Sequence, residues 1–438
     1  MKNKPSIEKL VSWKDKDNQL VIHYIQRWVE ISYPKGEPIN YNPFLEEIFR
    51  KIIAQHLDLY AVVADDEKEQ LVRQAMSDFR ISRSNNTQVF RQILADLVWE
   101  QSQIPASLFY VLFPLHVSSG FWPIKRLKML DVLFFSRSWL YVQRRFKIED
   151  FFTHTENHLG IAMDRSPSDY KDVLQSNFLP LITAVCGRTE REAFDKASRA
   201  FEFFRSLLNL YNTFGKVKRH YGPAQRPLGN ILASPAFAVF GQDKSFSSSP
   251  YYNTLIYPRY PSADALIIDQ VEQARKLSNR LGMPNDEKST QYLLLEALEK
   301  YGQALDTTEW RLAFLTLWQI LELATLQEEN IKMTDVIGRV RNIFEHDRLY
   351  SDLLDTSLIK RNSLVHRGQF PDLHGLEEVG YLKMIVERVI NALFNLADEL
   401  PDKNSLKLFY ELISKGDADL QNQERVLKYV QARRRKTT

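Results

Sequence analysis

The sequence predicts a mainly α-helical protein, with a mixed α+β N-terminal region followed by an all-α helical bundle. Three observations carry this. Beyond about residue 262 apolar residues recur at spacings of three and four, with Val379, Leu382, Val386, Val389 and Leu393 as the strongest seam. Residues 107–117 and 129–142 are instead dense in Leu, Val, Phe and Tyr, as strands are. Between residues 220 and 263 turn-forming residues are concentrated, including Pro223, Pro227, Pro235, Pro250, Pro258 and Pro261.

Taken in order, residues 46–59 place Ile48, Ile52, Ile53 and Leu57 at helical spacing, and 67–79 and 87–101 continue as amphipathic helices. A Ser118-Ser119-Gly120 turn between the two β-rich segments predicts a small sheet or hairpin. Residues 188–211 form a helix whose stripe of Ala193, Ala197, Ala200, Phe204, Leu207, Leu208 and Tyr211 reads as core. After the punctuated segment, helices are expected at 264–281, 286–305, 309–328, about 335–345, 356–366 and 377–400. The expected organisation is an N-terminal α+β domain over 1–150, a helical and loop-rich middle region over 151–262, and a C-terminal all-α domain with a basic tail over 263–438.

A chain of 438 residues has room for two or three domains. Its hydrophobic, charged and aromatic fractions of 44%, 26% and 12% exclude collagen-like, fibrous and largely disordered classes. Lys+Arg 58 against Asp+Glu 55 leaves only +3, so a nucleic-acid site must be a local feature. The single cysteine, Cys186, excludes an intramolecular disulfide, a thiolate zinc site and an iron–sulfur cluster, and fits a reducing compartment. The charged opening lacks the apolar stretch of a secretory signal, and residues 109–115 fall far short of the roughly 20 that span a bilayer. A cytoplasmic protein without membrane association is expected.

Several chemistries find no support. Gly numbers only 15, and no Walker or dinucleotide loop occurs, which sets aside phosphate binding by a backbone cradle. His154, Glu156 and His158 follow an H-x-E-x-H order, which does not place a general base beside two zinc ligands as H-E-x-x-H does. No G-x-S-x-G elbow occurs, and no histidine lies near Cys186 in sequence. Neither a metal nor a cofactor is expected.

The stretch that carries chemistry is Arg361-Asn362-Ser363-Leu364-Val365-His366-Arg367-Gly368, on a helix that Thr356 or Ser357 would cap and Gly368 would end. Asn362 and His366 are i and i+4 and share a face. Arg361 lies about 140° from His366 around the axis, within the swing of its long side chain. Imidazole, amide and guanidinium suffice to cleave RNA without a metal, because the 2′-hydroxyl supplies the nucleophile. His366 would move protons near neutral pH, Arg361 would hold the phosphate and stabilise its developing charge, and Asn362 would orient a phosphate oxygen or the imidazole. Arg followed five residues later by His is expected about once by chance in such a chain, but an Asn directly after the Arg lowers that to the order of a few hundredths.

A second copy of the spacing, Arg341, Asn342 and His346, lies one helical hairpin upstream. Glu345 and Asp347 flank its histidine and suit a polyanion less, so Arg361 and His366 are favoured.

These residues resemble the HEPN ribonucleases, whose hallmark is an R-x4-6-H motif, often R-N-x-x-x-H, on a late helix of a helical bundle. The resemblance covers roughly residues 286–400 and includes the preceding helix from Trp310 to Glu322, whose trailing Leu-Glu looks like the acidic position of such bundles. Glu322 is therefore expected to pair with Arg361 or its neighbours. The upstream organisation is similar to the larger Apea-like HEPN proteins of anti-phage abortive infection. The resemblance implies a homodimer in which two copies of Arg361, Asn362 and His366 share one cleft, with one His366 as base and the other as acid. Products would carry 2′,3′-cyclic phosphate and 5′-hydroxyl ends. In the toxin–antitoxin branch a Tyr two residues after the motif His accepts nucleotidyl groups; Gly368 stands there instead, so control is expected in the N-terminal region, where a phage-derived trigger would act.

The leading expectation is a metal-independent endoribonuclease acting on tRNA or mRNA, with Arg367, Arg433, Arg434 and Arg435 contacting RNA. The alternatives are a HEPN-type bundle that only binds RNA or dimerises, and a nucleic-acid-binding regulator using Lys216, Lys218, Arg219 and the C-terminal basic cluster.

Overall fold

The computed structural model describes residues 4–13, 19–32, 43–60, 65–82, 86–117, 126–163, 169–216, 227–247, 250–252, 268–281, 286–326, 332–344, 347–368, 375–413 and 415–434. The described residues are mainly α-helical. It divides into two compact units, one of Met1–Val111, Ala184–Ala197 and Val239–Ser245, the other of Leu112–Thr183, Ser198–Ala238 and Phe246–Thr438.

The first unit opens with α1 (Ile7–Leu10) and β1 (Val11–Trp13), followed by α2 (Gln19–Ser32), α3 (Pro43–Gln55), β2 (Leu57–Leu59), α4 (Asp65–Ser82) and α5 (Thr87–Gln103). Ile25, Trp28, Ile53, Val72, Met76, Phe79, Phe90 and Leu94 bury the apolar faces of these helices in one core. Trp28 stacks on Phe79, and Phe79 meets Phe90 edge-on. Leu57, expected in the helical stripe of α3, lies instead in β2. The exposed Asp58 between buried Leu57 and Leu59 gives the strand's alternation, and β2 pairs antiparallel with β1.

The chain continues through β3 (Ser107–His116), β4 (Arg126–Met129), β5 (Val132–Ser136), α6 (Trp139–Arg145), α7 (Glu149–Met163), α8 (Asp169–Asn177), β6 (Phe178–Gly187) and α9 (Glu190–Thr213). Then come β7 (Leu232–Ala233), β8 (Ala236–Phe240) and β9 (Tyr251–Tyr252). The sheet runs β4-β5-β6-β3-β8-β9, with β7 on β3. It is larger than the expected small sheet or hairpin, and the neighbours of β3 are β6 and β8. The hairpin is β4–β5, turning at Leu130 and Asp131, both at positive φ. The segment expected as a second strand over 129–142 divides into β5 and α6, because the Ser138 hydroxyl accepts the Tyr141 N–H and caps a new helix. The Ser118–Gly120 turn lies outside the described residues.

From residue 268 the described chain is helical: α10 (Ile268–Arg280), α11 (Thr290–Asp306), α12 (Trp310–Ala324), α13 (Met333–Ile343), α14 (Arg348–Arg367), α15 (Gly375–Glu399), α16 (Lys403–Ile413) and α17 (Asp417–Arg434). The helix expected from 286 begins at Thr290, because Asp286 forms a turn and the Ser289 hydroxyl accepts the Tyr292 N–H. α12 packs on α11, α14 and α15, and α13 closes the end of the bundle against α12, α14 and α15. The predicted seam of α15 is core, with Val379, Leu382, Val386, Val389 and Leu393 all buried.

α9 docks on this bundle through charge as well as apolar burial. Arg199 bonds Glu299 at 2.7 Å, and the buried Arg205 pairs with Asp306. α9 and α11 approach so closely that a Cβ at Gly302 would displace the Ser206 hydroxyl from its present rotamer. At the end of α9, Lys383 and Glu387 of α15 form a buried ion pair. Lys383 Nζ donates to the Thr213 carbonyl at 2.9 Å, and Glu387 Oε2 accepts the Gly215 N–H at 2.9 Å. Tyr301 donates to Glu387 Oε1 at 2.6 Å. Burial lowers the Lys383 ammonium and raises the Glu387 carboxyl against their mutual attraction.

Candidate functional site

α14 sets the candidate site. It is eight residues longer at its start than the sequence suggested, because the cap is Asp347, whose Oδ1 accepts the N–H groups of Leu349 and Tyr350 at 3.0 and 3.4 Å. Thr356 and Ser357, the expected caps, are interior residues whose hydroxyls bond back to the Asp352 and Leu353 carbonyls. The other end is as expected. Gly368 adopts φ 63° and donates its N–H to the Leu364 carbonyl, closing the helix two residues after His366.

The inner face of α14 buries Tyr350, Leu354, Ser357 and Leu364. Arg361 belongs to its inward side: its guanidinium lies 3.5 Å from Glu322 Oε1, both side chains being 22% exposed. Glu322 sits in the last turn of α12 and also accepts the indole N–H of Trp318, one turn earlier, at 2.9 Å. Arg361 Nη1 donates to Asn362 Oδ1 at 3.5 Å. The guanidinium therefore bridges the bundle carboxylate and the neighbouring amide. Asn362 and His366 are exposed on the outer face, one turn apart. The 140° divergence is real: Arg361 is anchored to the bundle while His366 points away from it.

Ile359, 68% exposed, shares this outer face two turns before His366, whereas Leu349 and Val365, 62% and 49% exposed, lie about 100° to either side of it.

The upstream copy is arranged differently. Arg341, near the end of α13, is paired by both carboxylate oxygens of Asp355 on α14, and Asn342 is half-buried beside it. His346 lies outside the described residues. Arg339, two residues before, is spent on the end of α12, where its Nη1 donates to the Thr325 carbonyl at 2.5 Å.

Of the expected RNA contacts, Arg367 ends α14, and Arg433 and Arg434 end α17; the placement of their side chains, like Arg435 and the Lys218–Arg219 run, lies outside what is described. His154 is exposed on α7 near the Phe246 ring. Among the described residues no group of three or more His, Cys, Asp or Glu could hold a metal ion, and no helix is long and apolar enough to cross a membrane.

Two residues of the site went unassigned in the sequence. Trp318 orients Glu322, and its signal was the i, i+4 spacing of W-x-x-x-E on a predicted helix. Asp355 neutralises Arg341, a pairing between two helices for which the sequence carries no signal. A scan of protein-family models, a search of curated proteins and a search of solved structures each return no match to this chain.

Proposed function

We propose that the protein is a metal-independent endoribonuclease of the HEPN type, acting as a homodimer through α14. The observation that carries this reading is the end of α14: Arg361 held between Glu322 and Asn362, with Asn362 and His366 exposed one turn apart on an outer face that also presents Ile359. A two-fold axis beside this face brings two copies of Arg361, Asn362 and His366 together. One imidazole then takes the proton of an RNA 2′-hydroxyl, and the oxygen attacks the adjacent phosphorus. The P–O5′ bond breaks, the second imidazole protonates the departing oxygen, and the guanidiniums stabilise the phosphorane. The products are a 2′,3′-cyclic phosphate and a 5′-hydroxyl.

Glu322 has a defined part in this scheme. With Trp318 it fixes the guanidinium from behind, leaving its remaining N–H groups for phosphate. By the same resemblance, the cellular role is that of an anti-phage abortive-infection effector in the cytoplasm, with the N-terminal region responding to a phage-derived trigger.

A second reading, a bundle that dimerises and binds RNA without cutting it, is favoured by one observation: Arg361 is already ion-paired within its own chain. The test is incubation of total RNA and tRNA with the purified full chain in EDTA, followed by analysis of the product ends. Cyclic-phosphate and 5′-hydroxyl ends support the nuclease. Intact RNA, together with no toxicity when the chain is overexpressed in cells, supports the scaffold.

A further inference from the structure

A ladder of arginines and aromatic rings runs along one edge of the sheet, far along the chain from α14. Arg126 on β4 is the register partner of Phe135 on β5, and its guanidinium carbon lies 5.8 Å from that ring's centre. Arg137, just beyond the end of β5, is 5.4 Å from the Phe135 ring and 5.2 Å from the Tyr141 ring. Arg145, a turn further along α6, is 5.9 Å from Tyr141. Cation and ring thus alternate through five side chains. Arg144 and Lys147 are exposed beside them, and none of these basic residues meets a carboxylate among the described residues.

The local charge is as unusual as the geometry. Residues 121–148 hold seven basic residues and one acidic, a net of +6 against +3 for the whole chain, so the remainder is net negative. This is the local basic feature that the overall charge balance demanded of any nucleic-acid site.

Two structural explanations cover only part of it. Basic residues on the edge strand β4 protect it against pairing with other strands, and Arg144 and Arg145 complement the dipole of α6. Neither accounts for Arg137, which lies in a connection and spans two rings. Nor does either account for Tyr141, which is 40% exposed at the centre of the ladder.

We propose that this surface binds single-stranded RNA. A guanidinium held over a ring keeps its N–H edge for phosphate oxygens, while unpaired bases stack on guanidinium planes and on the accessible rings. Alternating cation and ring match the alternating phosphate and base of a single strand, whereas a duplex hides its base faces. An anionic bilayer would draw on inserted apolar side chains and free cations rather than on arginines fixed over rings. The inference stands apart from the catalytic reading, since an RNA-holding face serves a nuclease and a scaffold equally.

The test uses a fluorescent 2′-O-methyl oligouridine, which cannot be cut through its 2′-oxygen, titrated with the full chain over a series of NaCl concentrations. Wild type is expected to bind with a slope of log K against log [NaCl] near −3, for about four phosphates at roughly −0.7 each. Tyr141→Ala is expected to weaken binding at least fivefold, about the loss of one stacked base. Arg144→Ala with Arg145→Ala should weaken it about tenfold or more and flatten the slope by about 1. These side chains are solvent-accessible, and an unchanged thermal midpoint verifies that each variant is folded. The proposal is overturned if wild type does not bind the oligonucleotide, or if the folded variants bind it as wild type does. It is equally overturned if they lose only their affinity for phosphatidylserine vesicles.

Discussion

Arg361 and Glu322 face each other across 3.5 Å between α14 and α12, and the same carboxylate oxygen of Glu322 takes the indole N–H of Trp318 at 2.9 Å. The guanidinium of the motif is therefore oriented from within the bundle, while His366 is left to the outer surface. In the proposed nuclease this division positions phosphate recognition with one chain's interior and leaves proton transfer to the seam between two chains.

Glu322→Gln tests that role. The amide keeps an acceptor for Trp318 but loses the charge that holds Arg361. A partly exposed pair of this kind contributes only about 0–1 kcal/mol, so the thermal midpoint should barely move. RNA cleavage should fall about tenfold in kcat, the equivalent of roughly 1.4 kcal/mol, with RNA affinity little changed. Unchanged kcat would remove Glu322 from the positioning of Arg361.

Ile359→Glu tests the dimer. Ile359 is 68% exposed and lies on the face of α14 that carries His366, so its replacement costs the monomer little. Sedimentation equilibrium is expected to show a dimer for wild type and a monomer for the variant, with cleavage lost in parallel. A variant that remains dimeric would place the interface elsewhere.

Lys383→Met tests the buried clamp on α9. It leaves Glu387 without its cation among apolar groups and should cost about 3–5 kcal/mol in urea denaturation. Combining it with Glu387→Gln removes the stranded charge and should recover a large part of that loss. Equal instability of the single and double variants would show that the ion pair itself is the source of stability.

The stability of the first unit is expected to depend on pH through Glu192. Burial alone would raise this carboxyl, but bonds from Lys196 and Arg188 outweigh it and hold it at about 2, below the ordinary 4.5. The unfolded chain therefore binds a proton before the folded one does. Its contribution is present above 4.5 and lost as the pH falls toward 2. Between about pH 5 and 3, Glu192→Gln should lose less stability than wild type in urea titrations. Parallel losses would mean that Glu192 titrates normally in the folded chain.

The helices were legible because helical spacing of apolar residues is a local property: the stripes of α9 and α15 are buried as their sequences imply, apart from the half-buried Tyr211. β6 was not, because Phe178–Gly187 is a nearly continuous apolar run with no alternation to distinguish a buried strand. The start of α14 was misplaced because Thr356 and Ser357 look like caps, and only the three-dimensional chain shows their hydroxyls bonded to the preceding turn. Within the site, the pairing of Arg361 with Glu322 followed from the motif and the resemblance together. The Arg341–Asp355 pair depends on how two helices meet, and the Arg126–Phe135 contact depends on strand register; neither spacing appears in the linear sequence.

The central claim is that His366 cuts RNA, and one measurement addresses it most directly: wild type, His366→Ala and His346→Ala are incubated side by side with total RNA in EDTA. The account predicts cleavage by wild type and by His346→Ala, and loss of at least a hundredfold in His366→Ala. Undiminished cleavage by His366→Ala, or loss confined to His346→Ala, would contradict it.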